Sequence, residues 1–160
     1  MFVGPPATGK STFAARLVDA GVVEVHDVLS TDALREELTG DASDTSRDRA
    51  VFARIRSALE ERMRAGRTTV VDATGLWSRG RARHLAVARA FGRPTVAVRF
   101  ATPLHDLLIR NQLRPRVVPA GVVVHMARQL EEASTEEQLR AEGFDVVVDA
   151  RDVFRRTRGG

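Results

Sequence analysis

Cysteine is absent from the 160 residues, which removes disulfides, cysteine-based zinc sites and thiol chemistry together. The four histidines, His26, His84, His105 and His125, are scattered without metal-ligand spacing, so no structural metal is expected. No apolar run reaches the roughly 18 residues that a membrane-spanning helix needs. The chain opens directly into a glycine-rich stretch instead of the charged, apolar and small-residue series of a secretory signal. The expectation is a cytoplasmic protein with no membrane partner. Acids are scarce in one long stretch: from Trp77 to Arg128, ten arginines stand against Asp106 alone. Such a local excess suits a polyanionic partner, or else forms a plain solvated surface.

Lysine is rarer still. Lys10 is the only one, against 24 arginines. Arginine's planar fork does not reproduce a compact ammonium on a flexible stem, so position 10 has kept a distinct chemistry in a sequence that otherwise favours arginine. A hydrophobic share of 43% over this length suits one domain spanning residues 1–160 with a continuous core.

Met1 to Val3 reads as the end of a strand, Gly9 to Ala20 as a helix, Val22 to Leu29 as a strand and Thr31 to Leu38 as a short helix. Gly40 to Arg47, rich in Gly, Asp, Ser and Thr, reads as a loop. From Ser46 to Ala65, Val51, Ile55, Leu59 and Met63 recur at four-residue steps with Phe52 beside them, which predicts a helix with these residues in the core. Further strands are predicted at Thr68 to Asp72, Thr95 to Ala101 and Phe144 to Asp149, with helices at Arg79 to Phe91, Pro103 to Leu113, Ala120 to about Glu132 and Thr135 to Glu142. Parallel neighbours need crossover connections, so this alternation gives an α/β fold: a three-layer parallel sheet with helices on both faces.

Gly4-Pro5-Pro6-Ala7-Thr8-Gly9-Lys10-Ser11-Thr12 lies between the first strand and the first helix and has the spacing of a phosphate-binding P-loop. Its glycines let successive backbone N–H groups approach phosphate oxygens, and the helix that begins there adds its positive end. Gly4, Ala7, Thr8, Gly9, Lys10, Ser11 and Thr12 are therefore the candidate nucleotide-binding residues. Lys10 is expected to reach the β- and γ-phosphates and Ser11 to ligate magnesium, so the expected cofactors are ATP and Mg2+. Asp72, at the end of a hydrophobic strand, is either a second magnesium-site residue or a turn residue. Asp72-Ala73-Thr74-Gly75 imitates an element of small GTPases, but guanine selection in that family needs an N-K-x-D lysine, and the chain has none beyond Lys10.

After the second strand comes Ser30-Thr31-Asp32-Ala33-Leu34-Arg35. Asp32 and Arg35 share one helix face at a strand's carboxyl end, where doubly wound sheets place ligands. A proton acceptor beside an anion-binding cation is one reading; a helix N-cap at Thr31 or Asp32 is the other. Arg110-Asn111-Gln112-Leu113-Arg114-Pro115-Arg116 ends a helix in an arginine cluster, with Arg110 and Arg114 read as one helical face. These arginines either neutralise charge on a transferring phosphoryl group, like an arginine finger supplied in cis, or form surface ion pairs. Trp77, the sole tryptophan, either stacks on a base or packs against the sheet's edge. The basic end from Arg151 to Arg158 either grips nucleic acid or is simply solvated.

Taken in order, G-x-x-x-x-G-K-S-T at Gly4 to Thr12, S-T-D-x-L-R at Ser30 to Arg35, V-V-D-A-T at Val70 to Thr74 and R-N-x-x-R at Arg110 to Arg114 resemble the kinase domain of the bacterial polynucleotide kinase family that heals nucleic-acid ends. The E-G-F at Glu142 to Phe144, before the last strand, is similar too. The resemblance implies a P-loop NTPase-type kinase fold with a small arginine-bearing lid. It implies that Asp32 is the general base for a 5′-hydroxyl, that Arg35 holds the acceptor's phosphate and that Arg110 and Arg114 form the lid on ATP. Thr74 would lie near the acceptor and Thr12 on the nucleotide phosphates. Lys10, Asp32, Arg110 and Arg114 are then the catalytic set, and the expected partner is the 5′-OH end of DNA or RNA. The sequence departs from the family in two ways. Gly75 replaces the asparagine that usually follows D-A-T, and the phosphatase and ligase modules that often accompany the kinase are not in this sequence. Two competing readings are a small-molecule kinase of the same fold, acting on an antibiotic, a sugar acid or a nucleoside, and a non-catalytic ATP-binding regulator, in which a proton acceptor at Asp32 would have no use.

Overall fold

Short runs rich in β-branched residues form the strands β1 (Phe2–Val3), β2 (Val28–Ser30), β3 (Val70–Asp72), β4 (Val96–Arg99) and β5 (Val146–Asp149) in a computed structural model that describes residues 1–153. Every pairing is parallel: β1 with β4, β4 with β5, and β2 with β3. The two sets meet just past the strand ends, where Gly4 N–H donates to Thr74 O at 2.8 Å. The ladders form two parallel sets, β2-β3 and β1-β4-β5, and β3 lies beside β1, so the strands stand side by side in the order β2-β3-β1-β4-β5. The chain turns one way from β1 towards β2 and β3 and the other way towards β4 and β5. That reversal places a ligand crevice beyond the carboxyl end of β1.

The helices are α1 (Lys10–Asp19), α2 (Thr31–Thr39), α3 (Asp48–Arg64), α4 (Ser78–Ala90), α5 (Leu104–Gln112), α6 (Ala120–Ala133), α7 (Glu136–Glu142) and the short α8 (Ala150–Val153). They cover both faces, because alternate strand residues point to opposite sides. Phe2 and Val98 pack with Phe13 and Ala14 of α1, whereas Val3 and Ala97 pack with Leu85, Leu130 and Leu139 of α4, α6 and α7. Phe2, Phe13 and Phe100 meet edge to face with ring centroids 5.1 to 5.5 Å apart. Phe2 precedes the glycine-rich loop and Phe13 follows it, so this triad fixes both ends of the loop, each pair adding about 1 kcal/mol beyond area burial.

Several expectations need correction. The run from Val22 to Leu29 is not one strand: Gly21 and Val22 close α1 by donating to Val18 O and Leu17 O, both at 2.9 Å, and a 3-10 turn follows at Val25–Asp27. Val22 and Val25 face solvent, so their apolar character mimicked a strand that begins only at Val28. Of the predicted α3 core, Val51, Ile55 and Leu59 are buried and Met63 partly so, but Phe52 is 36% exposed. Trp77 does not pack on the sheet's edge; it is 62% exposed at the N-cap of α4. Of the basic end, Arg151 pairs with Asp149 at 2.9 Å, and Arg155, Arg156 and Arg158 lie outside the described residues.

Arg81 is the largest fully buried side chain among the described residues. Its guanidinium donates to Glu142 (2.6 Å from Nε), Gly75 O (2.8 Å), Ser134 Oγ (3.0 Å) and Ala133 O (3.2 Å). It ties the loop after β3 to the junction of α6 and α7. The same loop explains the departure at position 75. Gly75 has φ +60°, and a Cβ there would sit 2.3 Å from Phe2 O, so no asparagine fits beside β1. Gly75→Asn is expected to destabilise the fold by about 1–3 kcal/mol through this backbone clash, read as a lower urea midpoint with an unchanged slope. An unchanged midpoint would contradict the contact.

Candidate active site

The glycine-rich loop is shaped by contacts that leave room for little else. A Cβ at Gly4 would meet Phe100 Cβ at 2.8 Å, and Thr8 Oγ1 donates to Pro5 O at 2.9 Å. Ala7 is the only non-glycine residue with positive φ among the described residues, at 64°, a strained conformation of the kind that clusters at ligand-binding loops. Gly9, with φ 92°, is the N-cap of α1 and offers no side-chain cap, and the first turn of the helix carries no acid. The amino end of α1 therefore keeps uncapped N–H groups and a positive dipole end for an anion.

Lys10 is buried and folds back over the loop. Its Nζ donates to Gly4 O at 2.9 Å and Pro5 O at 2.6 Å. Burial lowers its pKa to about 8, while the charges of Asp72 and Asp32 act to raise it and Arg114 acts to lower it. Asp72, also buried, closes β3 and accepts from Ser11 Oγ at 2.9 Å. Burial raises the Asp72 carboxyl above its usual range, opposed by the Ser11 bond and by Lys10. A hydroxyl and a carboxylate within one hydrogen bond of each other, beside a phosphate-binding loop, form an oxygen donor set that suits Mg2+. Ser11 and Asp72 thus fit the expected metal.

β2 delivers Asp32 to the same place. Ser30 is the N-cap of α2, its Oγ accepting from Ala33 N–H at 3.2 Å. This overturns the reading of Thr31 or Asp32 as the cap, so the Asp32 carboxylate is not spent on the helix end. Arg35 Nη1 donates to Asp32 at 3.0 Å, and Arg35 Nε to Asp48 at 2.7 Å. Arg35 is shared between two carboxylates, and it does not line the cavity that Asp32 faces. Asp48, at the first turn of α3, had no signal in the sequence to mark it as this partner.

That cavity, about 330 Å³, is lined by Lys10, Ser11 and Thr12 of the loop, by Asp32, by Asp72 and Thr74, and by Arg110 and Arg114. A larger cleft of about 710 Å³ adjoins it and shares Ala7, Gly9, Thr12 and Arg110; it continues past Phe13, Arg16, Asp106 and Asp149. Arg16 and Asp106 were not foreseen as cleft residues. Arg110 and Arg114 meet the same cavity, but not as one helical face. α5 ends at Gln112, because Arg114 precedes Pro115 and a residue before proline is pushed out of helical conformation. Arg114 Nη1 is buried with no hydrogen-bond partner. A guanidinium N–H left unpaired beside an anion-binding loop is a donor in need of an acceptor.

Away from the cavity, the structure brings Glu24, His26 and Asp27 close enough to hold a cation, a grouping the spacing of the histidines did not suggest. Arg67 already donates to Asp27 at 3.0 Å and Arg62 lies 3.5 Å from it, so positive charge is supplied by side chains. His84 is partly buried and its pKa lowered, chiefly by burial; His105 and His125 are exposed.

The sequence pattern of the AAA domain family matches residues 1–133, from β1 through the end of α6. No curated protein matches the chain. No helix among the described residues is long and apolar enough to cross a membrane.

Proposed function

The chain belongs to the AAA domain family, P-loop nucleotide-binding phosphotransferases, and on that premise we propose that it moves the γ-phosphoryl group of ATP to the 5′-hydroxyl end of a nucleic acid. One arrangement carries this reading: Lys10, Asp32, Asp72 and Arg114 meet around a single cavity of about 330 Å³, with a cation, an exposed carboxylate, a metal-suited pair and an unpartnered buried N–H.

The loop amides and the start of α1 hold the triphosphate, and the adjoining cleft past Phe13 and Asp106 takes the nucleoside. Lys10 exchanges its carbonyl partners for β- and γ-phosphate oxygens. Ser11 and Asp72 hold Mg2+, which when bound supplies charge neutralisation at those oxygens. Asp32 accepts the proton of the attacking hydroxyl, and Arg110 and Arg114 stabilise charge on the transferring group. Most of the rate in such a site comes from positioning and electrostatics, so Asp32 acts through its proximity to the attacking hydroxyl.

The arginine-rich span from Trp77 to Arg128, less Arg81 and Arg99, which pair with Glu142 and Glu131, and the exposed indole three residues from cavity-lining Thr74 support a nucleic-acid acceptor. Trp77 is the only tryptophan, so its fluorescence reports on one place. A single-stranded 5′-OH oligonucleotide is expected to quench it on binding, and Trp77→Ala to raise the acceptor KM about tenfold, in line with stacking of about 1–3 kcal/mol per base. Unchanged emission at saturating oligonucleotide would remove Trp77 from the acceptor site.

A small-molecule acceptor is favoured by one observation. From Glu36 to Asp48 five acids face one arginine, and Arg35 is already held by Asp32 and Asp48, so this side of the site is poor in free positive charge. Incubation with γ-labelled ATP, Mg2+, 5′-OH DNA and RNA oligonucleotides and a metabolite panel separates the readings. Label on the oligonucleotide end supports the polynucleotide kinase; label on a metabolite alone supports the small-molecule kinase; ATP binding without any transfer indicates a regulator.

A further inference from the structure

We infer that Asn111 is a positioning residue that holds Arg114 over the phosphate cavity, an assignment that rests on reading that cavity as the ATP phosphate site. Asn111 stands inside the arginine cluster yet does not line the cavity. It is wholly buried, with 0% exposure, and spends both halves of its amide on one residue. Nδ2 donates to Val118 O at 2.7 Å, and Oδ1 accepts from Val118 N–H at 3.1 Å. The side chain thereby copies the two-bond pairing of a strand neighbour and closes the segment between α5 and α6 into a ring.

That segment has little else to fix it. It contains Pro115 and Pro119, which lack N–H groups. The backbone bond nearest Arg114 runs from its own N–H to Asn111 O at a long 3.3 Å. Arg114 sits within the ring, and its Nη1 is buried without a partner. Arg114 is only partly buried as a whole, but withholding its Nη1 donor from water with nothing to receive it is unfavourable, so the loop would relax and expose that nitrogen unless a nearby contact held the segment. The Asn111 pairing is the contact placed to do so. It keeps the guanidinium where a phosphate oxygen, on arrival, finds the donor already aimed.

The test compares Asn111→Leu, Asn111→Asp, Arg114→Ala and the Asn111→Leu/Arg114→Ala double variant by calorimetric titration with Mg2+ and ATP, together with amide exchange at Val118. Loss of a hydrogen bond to a charged group predicts that Arg114→Ala weakens ATP binding about tenfold. Asn111→Leu should weaken it nearly as much, and so should Asn111→Asp, which keeps the acceptor for Val118 N–H but sets an oxygen against Val118 O in place of the Nδ2 donor. In the Arg114→Ala background Asn111→Leu should change affinity less than about twofold, because the residue it positions is gone. Val118 amide exchange should rise in Asn111→Leu more than in Asn111→Asp. If Asn111→Leu does not fold, Asn111→Asp carries the comparison alone. Affinity unchanged in the Asn111 variants while Arg114→Ala weakens binding, or effects that simply add in the double variant, would overturn the clamp and leave the ATP site standing. A wild-type chain that binds no ATP would overturn the reading of the site itself.

Discussion

Lys10→Met is expected to lower phosphoryl transfer by about 10³-fold or more, the scale of removing a preorganised charge from a developing transition state. The ammonium is buried, donates to two carbonyls of its own loop and is the only lysine in the chain, so no neighbour can stand in. Lys10→Arg should not rescue it, because the broad planar guanidinium lacks the room that the compact ammonium has in the pocket under Gly4 and Pro5. The pH dependence follows from burial. With the pKa of Lys10 lowered to about 8 in the free protein, the side chain enters the complex already charged below that pH. Above it, ATP binding must take up a proton, and affinity falls by up to about tenfold per pH unit. Titration of ATP affinity from pH 6.5 to 9.5 should be flat at the acid end and decline past about 8. Full activity in Lys10→Met, or a flat profile throughout, would contradict the assignment.

Asp32→Ala should lower transfer by about 10²–10⁴-fold, the range for loss of a general base, while ATP affinity at pH 7 stays within about twofold. The pH matters, because the charge of Asp32 helps keep Lys10 protonated, and well below pH 8 that help is not needed. Arg35 keeps Asp48 when Asp32 is removed, so α2 stays anchored to α3 and the loss can be read as chemistry. Single-turnover transfer together with equilibrium ATP binding measures both halves. A variant that transfers at the wild-type rate removes Asp32 from the proton-accepting role.

Much of this site was legible in the sequence because its parts are local. The loop from Gly4 to Thr12 states its own conformation through glycine spacing and a lone lysine, and the strand-helix alternation fixes which ends of the strands converge. Lys10, Asp32 and Asp72 therefore meet as the topology requires. What stayed hidden depends on pairs far apart in the chain. Arg81 reads as a surface arginine of α4 until Glu142, 61 residues on, is seen to receive it. Gly75 reads as a lost asparagine until Phe2 O is found against it. Val22 and Val25 read as strand because composition cannot say that Asp27, two residues past Val25, is drawn inward by Arg67. The break between Arg110 and Arg114 was visible in Pro115, but nothing local marks the buried pairing of Asn111 with Val118 that closes the segment carrying Arg114 beside the cavity.

The most direct measurement is a crystal structure of the protein with Mg2+, ADP, a planar fluoride mimic of the phosphoryl group and a 5′-OH oligonucleotide. The mimic is expected between Lys10 Nζ and the Asp32 carboxylate, with the acceptor oxygen within hydrogen-bond distance of Asp32 and Arg114 Nη1 on the mimic. A mimic bound away from Lys10, or an acceptor oxygen that approaches from a side Asp32 cannot reach, would contradict the account.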